Sequence, residues 1–265
     1  MVQKERIERQ MERLRPDQFR ELRRDTPLAY LPLGILEWHG PHNPIGLDGV
    51  KAHAICRRAA ELSGWVVFPT LYYGSPPATH FIEVDWYNAA FSEAYDLPEE
   101  NYLSAKFSFG PRLEQWNLFS KILDQSLRQI ARFGFEAIIV IAGHYPLNGQ
   151  NLVTDSFERE FGIPIWFGHE GQAADPPDGD HAAQWETSVT WALDPPTVDP
   201  SAFPKKGEPN PPGVSGKPVA DITAELAEAN LKRALEGIVR ITRSLLDRRQ
   251  ECQKKWRRER GRNEK

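Results

Sequence analysis

The sequence predicts an α/β fold, with a mainly parallel central sheet flanked by helices. Three observations carry that reading. Short apolar runs of strand length recur at 29–36, 65–69, 137–141 and 163–167. Segments with apolar residues at helical spacing lie between them, and strands alternating with helices imply parallel pairing through right-handed crossovers. A loop rich in Gly, Pro and ionisable residues directly follows the first strand, and the carboxyl ends of strands are where open α/β sheets place their chemistry.

Taken in order, residues 5–24 predict an amphipathic N-terminal helix with Leu14, Phe19 and Leu22 on its apolar stripe. Thr26-Pro27 ends it, because the residue before proline avoids the α region. The 29–36 strand follows. Val50, Ala54, Ile55, Ala59 and Leu62 then mark a helix over 48–62, and the second strand runs to Pro69. Residues 74–109 show no period and are rich in aromatics and proline, as expected of a functional or subunit-contact loop. A strong amphipathic pattern predicts a helix over 113–133, then a strand over 137–141. A helix over 148–161, a strand over 163–167 and a helix over 181–193 come next. Residues 195–218 are proline-rich and irregular. One long helix spans 220–250, with Ile222, Leu226, Leu231, Leu235, Ile238, Ile241 and Leu245 facing inward.

The chain has 265 residues and is read as one domain over 1–265. No apolar run approaches the ~20 residues of a membrane-spanning helix, so no membrane association is expected. The N-terminus is charged, unlike a secretory signal. Two distant cysteines, Cys56 and Cys252, suggest no disulfide framework and point to a reducing cytoplasm. The net charge of −4 excludes a globally basic nucleic-acid binder, although basic residues gather in the tail at 251–265. As a helix end, those cations suit the negative pole of the helix.

The chemistry concentrates in the stretch from Glu37 to Asp48. Glu37 and His39 are two residues apart, so on an extended backbone both face the same side. Asp48 begins the next helix beside the same strand end, where its carboxylate can bridge two ions. His144 ends a second strand of the sheet and converges on the same rim. His181 and Glu186 come from a later loop and helix. Imidazole with carboxylate is the donor set of borderline and hard divalent metals, and five or six such ligands suffice for a two-metal site. Read singly, each residue has a plainer role: Asp48 as a helix N-cap, His144 as a satisfied strand-end polar group. His53 and His169 are read as structural, and Cys56 as core. Trp38 and Trp185 flank candidate ligands and are read as pocket lining.

Three stretches together resemble the creatininase (creatinine amidohydrolase) family. They are Leu31-Pro32-Leu33-Gly34-Ile35-Leu36-Glu37-Trp38-His39-Gly40-Pro41-His42-Asn43-Pro44 through Asp48, then Ile139-Val140-Ile141-Ala142-Gly143-His144, then His181-Ala182-Ala183-Gln184-Trp185-Glu186-Thr187-Ser188. The resemblance implies a three-layer creatininase-like fold and a hydrolase using two divalent ions, zinc, manganese or iron. It implies Glu37, His39, Asp48 and His144 as ligands, with Asp48 bridging. The family's further ligand, a Glu two residues after its His, is Pro146 here, and Glu186 is taken as the substitute. His181 matches the family's proton-shuttling histidine. His42, His80, Tyr145 and Trp185 are taken as substrate-binding residues. The family's Phe-Pro-Gly-Thr segment is replaced by Phe81-Ile82-Glu83-Val84-Asp85-Trp86, so a different pocket wall is expected. The resemblance also implies a homo-oligomer, a hexamer among the options, with 86–109 as a contact surface.

The expected reaction is attack by metal-activated water on a carbonyl of a small cyclic amide or related cyclic substrate, His181 supplying the proton to the leaving group. One alternative is hydrolytic carbon–carbon ring opening of a cyclic polyol diketone. The other is a non-catalytic metal-binding protein whose basic tail touches nucleic acid.

Overall fold

Strand β1 (Leu28–Leu33) and strand β3 (Ala137–Ala142) lie side by side and are buried at every position. The computed structural model describes residues 7–25, 27–73, 93–96, 98 and 112–263. The other main elements are helix α1 (Pro16–Asp25), helix α2 (Leu47–Ser63), strand β2 (Val66–Val67) and helix α3 (Arg112–Arg132). After β3 come helix α4 (Asn151–Phe161), strand β4 (Ile165–Gly168) and the single-turn helix α5 (Glu170–Ala173). Helix α6 (Gln184–Leu193) and the long helix α7 (Ala224–Asn263) complete the order. The strands form one parallel sheet in the order β2-β1-β3-β4.

Strand residues alternate between two cores. Leu28, Tyr30, Ile139 and Ile141 pack under α2, α6 and α7 with Ile55, Trp185, Val189 and Ile238. Ala29, Leu31, Leu33, Ile138 and Val140 face the opposite side, against Phe119, Leu123, Leu127 and Phe157 from α3 and α4. Both faces of a parallel sheet are thereby covered, which is why the strands read as unbroken apolar runs and not as alternating ones. The result is the expected α/β arrangement of a central parallel sheet between two helical layers.

Pro32 is tolerated within β1 because of which side it faces. The Tyr30 and Pro32 carbonyls accept from Phe68 N at 2.9 Å and Leu71 N at 3.2 Å, on the β2 side. The missing proline N–H therefore falls just past the two-residue strand β2, beyond the paired residues of that ladder.

Several boundaries differ from expectation. The N-terminal helix begins at Pro16, which favours the first helical position; among the described residues upstream, Met11–Arg13 form a 3-10 turn and Gln10 bridges to Val67. Residues 145–150 form a 3-10 turn before α4. The helix expected from His181 begins at Gln184, because His181 pairs with Ser215 through two backbone hydrogen bonds of 2.8 and 2.9 Å. Ala182 then adopts φ of 58°, the left-handed region. Helix α7 continues well beyond residue 250.

Candidate metal centre

Two glycines set the position of the main chain at Asp48. A side chain on Gly34, just past β1, would place its Cβ 2.2 Å from Gly49 N and 2.8 Å from the Asp48 carbonyl carbon. One on Gly143, just past β3, would lie 2.0 Å from the Asp48 carbonyl oxygen. Only glycine allows such an approach. The start of α2 is thus wedged between the ends of two adjacent strands, which Gly143 N joins to Leu33 O at 2.8 Å. Asp48 is 1% exposed at the middle of this junction.

Around it converge the residues expected from the sequence. His39 Nε2 lies 3.1 Å from Asp48 Oδ1, and its Nδ1 lies 3.1 Å from the Glu37 carbonyl oxygen. That carbonyl only accepts, so Nδ1 carries a hydrogen and Nε2 is aimed at the carboxylates. His144 Nδ1 lies 3.0 Å from Glu37 Oε1 and 3.3 Å from Asp48 Oδ2. Glu37, Asp48 and His144 offer donor atoms within 4.8 Å of one another, and so do His39, Asp48 and Glu186. Asp48 belongs to both trios. Glu37, His39 and His181 make a third.

The electrostatics match a cation site. Burial opposes charge on His39, but the Asp48 charge and hydrogen bond, with Glu37 behind them, lift its pKa to about 9. Burial also opposes charge on His144, and Glu37 and Asp48 lift it to about 10. Asp48 is held well below the usual carboxylate range, burial being outweighed by His39 and His144. The carboxylates thus demand positive charge, which protons on two imidazoles provide in the metal-free protein. Buried imidazoles and carboxylates with their donor atoms turned inward fit a divalent ion.

His181 is 4.9 Å from His39, ring centre to ring centre. Its Nε2 lies 3.1 Å from the Trp38 carbonyl and its Nδ1 3.8 Å from Glu37 Oε1. The carbonyl fixes the hydrogen on Nε2, so the Nδ1 lone pair faces the carboxylate cluster. Burial, with His39, lowers its pKa.

The structure treats the four expected substrate-binding residues differently. His42 is buried, with Nε2 3.0 Å from the Ala182 carbonyl, and with Asn43 it ties the first loop to the 182–187 segment. Trp185 is 2% exposed in the core and donates from Nε1 to Glu170 Oε1 at 3.1 Å; its size and helix position turn it inward. The Tyr145 hydroxyl donates to Glu170 Oε1 at 2.7 Å. His80 lies outside the described residues, as does most of the 86–109 contact surface. His53 has the structural role expected of it, bonded to Thr70 and Gln10, and Cys56 is core.

Three ionisable residues beside the site went unread in the sequence. Lys51, one turn after Asp48, is fully buried; its Nζ lies 3.0 Å from Glu170 Oε1, pairs with Glu186 Oε1 and approaches the Tyr145 hydroxyl at 3.4 Å. Glu170 opens α5 directly after β4 and is 0% exposed. Asp180 accepts from the first N–H groups of α6, Trp185 N at 2.6 Å and Glu186 N at 3.1 Å. Burial and the Glu186 charge push its pKa up to about 7. The signals were a lone lysine among apolar residues of a helix, and a carboxylate at the end of a third strand.

Known proteins show the same plan. The family model for creatininase, described as creatinine amidohydrolase, matches residues 12–86 and 114–242. A creatinine amidohydrolase of Pseudomonas putida is 28% identical over 115 residues, a stretch that spans 43% of this chain and only 36% of that protein. A solved creatininase superposes with a TM-score of 0.66 at 20% identity, covering 88% of this chain and 96% of its own. A creatininase described as the Mn form gives 0.65 at 19%, covering 89% and 98%. A Bacteroides fragilis protein described as a creatinine amidohydrolase by inference gives 0.63 at 19%, covering 89% and 95%. At these identities the structural likeness is one of fold, while the family model spans most of the sequence and all three stretches that carry the site: the chain belongs to the creatininase family.

Proposed function

We propose that this protein is a metal-dependent hydrolase acting on a carbonyl of a small cyclic amide or a related cyclic substrate. The observation that carries the reading is Asp48, clamped by backbone between two strand ends and shared by two trios of potential ligands. Family membership supports it, and so do the relatives' names: one is a creatinine amidohydrolase, and solved creatininases are described as Mn and Zn-Zn forms.

Glu37, Asp48 and His144 would hold a divalent ion, with His39 alongside. When bound, such an ion supplies Lewis acidity toward water and toward a substrate carbonyl. The residues of the chain do the rest. The Glu37 carbonyl keeps His39 Nε2 pointed at the carboxylates, an orienting contact of the kind that fixes metal-bound histidines. His181, its Nε2 hydrogen committed to Trp38, presents Nδ1 to take up a proton at the carboxylate cluster and return it to the leaving group. The His42 and Asn43 contacts to the Ala182 carbonyl hold that histidine's segment against the first loop.

Neither alternative gains an observation of its own. The basic tail continues α7 and docks by Trp256, which donates to the Glu160 carbonyl at 2.7 Å and packs on Gly162. The two cysteines are free, in keeping with a cytoplasmic setting; no helix among the described residues is long and apolar enough to cross a membrane. A homo-oligomer remains the expected assembly, to be read by light scattering. The decisive test pairs metal analysis with a Glu37→Gln variant and a substrate panel of creatinine, formamides and keto-inositols. Hydrolysis of an amide, lost together with bound metal in the variant, supports the reading. A metal-free protein that is fully active overturns it.

A further inference from the structure

Lys51 is a buried charge that the chemistry above does not use. An ammonium has three hydrogens to donate and no way to accept. Here all three have acceptors: Glu170 Oε1 at 3.0 Å, Glu186 Oε1, and the Tyr145 hydroxyl oxygen at 3.4 Å. Tyr145 in turn donates to Glu170 at 2.7 Å, and its ring lies 4.6 Å from the ammonium. The Lys51 side chain is 0% exposed, so its charge is balanced within the protein.

The consequence falls on Glu186. Its Oε1 is paired with Lys51, and its Oε2 accepts from Ala182 N at 2.8 Å. Both oxygens are engaged by the protein itself. Yet Glu186 is the carboxylate that, with His39 and Asp48, would complete a second ion position. A dication there would share its carboxylate oxygens with a fully buried ammonium and a buried amide, weakening both bonds, and would sit against the like charge of Lys51. Two cations beside one buried carboxylate repel strongly, and weakening a buried ion pair is unfavourable. Among the described residues, the Glu37–Asp48–His144 position is paired with no ammonium, its positive partners being the imidazoles themselves.

We infer that the Lys51 ammonium takes the place of a second divalent ion, so that the site holds a single ion, at Glu37, Asp48 and His144, where the sequence led us to expect two. The inference rests on the metal-dependent reading above. Lys51 is a positioning residue: it fixes Glu186 and Glu170 and neutralises them from within the core.

The experiment counts metal. The wild type, Lys51→Met and the double variant Lys51→Met/Glu170→Gln are loaded with excess Mn²⁺ or Zn²⁺, desalted and measured by plasma mass spectrometry, with calorimetric titration for affinity. The double variant removes the buried pair as a unit, so it reports even if the single variant fails to fold. The expected result is one ion per chain in the wild type and a second in the folded variants, bound with at least tenfold higher affinity than any second ion in the wild type. Two tightly bound ions in the wild type, or one ion in wild type and variants alike, overturns the inference while leaving the hydrolase reading intact. A wild type that binds no ion overturns both.

Discussion

Raising the pH of the metal-free protein from about 6 to about 10 should strip away a defined share of its stability, and the histidines say how much. His39 moves from an ordinary value near 6.5 to about 9 on folding, and His144 to about 10. At about 1.4 kcal/mol for each tenfold change in proton affinity, His39 alone is worth about 3 kcal/mol. The two share Asp48 and Glu37, so their contributions do not add in full; together they are worth roughly 3–5 kcal/mol. Because the folded values are raised, the stabilisation is fully present below about pH 6.5 and disappears as the pH climbs through about 9 to 10. Asp48 works in the opposite sense: its lowered value contributes stability above the ordinary carboxylate range that is lost in acid. Urea midpoints in the presence of a chelator, across this range, measure the loss. An Asp48→Asn variant removes the shared anion and should flatten the curve, which separates this effect from the titration of surface lysines. Parallel curves for the two proteins would refute the reasoning. The same protons must leave when an ion binds, so divalent-ion affinity should rise with pH over the same window.

Gly143→Ala places a methyl 2.0 Å from the Asp48 carbonyl oxygen, against backbone that cannot rotate away. We expect a loss of about 1–3 kcal/mol in thermal melts together with sharply weakened metal binding; an unchanged melt would show that the clamp is looser than drawn. Truncation after Gln250 removes Trp256 from Gly162 and Glu160, which should lower the melting temperature by roughly 2–4 °C per kcal/mol lost and leave metal content untouched. Lost hydrolysis in a folded, metal-loaded truncation would reopen a functional role for the tail.

The parts of the molecule that sequence reveals well are those with a local cause. β1 and β3 declare themselves because burial on both faces makes each a continuous apolar run, and the loops after them carry Glu37, His39 and His144 at predictable strand ends. α3 and α7 follow from helical spacing alone. The misplaced starts of α1 and α6 have causes of a different range: Pro16 is local and was legible, whereas the His181–Ser215 pairing joins distant segments. Lys51 is the instructive case. A lysine on a helix reads as a solvent-facing residue, and the carboxylates that bury it, Glu170 and Glu186, lie more than a hundred residues away. Only the rule already applied to β1 and β3, extended to the end of β4, would have pointed to Glu170.

The wedge that holds Asp48 also bears on which ion the protein accepts. With its main chain fixed on both sides, Asp48 can follow an ion of different radius only by turning its short side chain. Its place is tied to the separation of two neighbouring parallel strands, about 4.8 Å in any sheet, a dimension that no side-chain replacement alters. Discrimination among ions by size must then come largely from the longer side chains around it, Glu37 and the two imidazoles, adjusting toward Asp48. Selection for a new metal would therefore act on the 37–39 loop and the residue after Gly143, while Asp48 and its glycines stayed as they are.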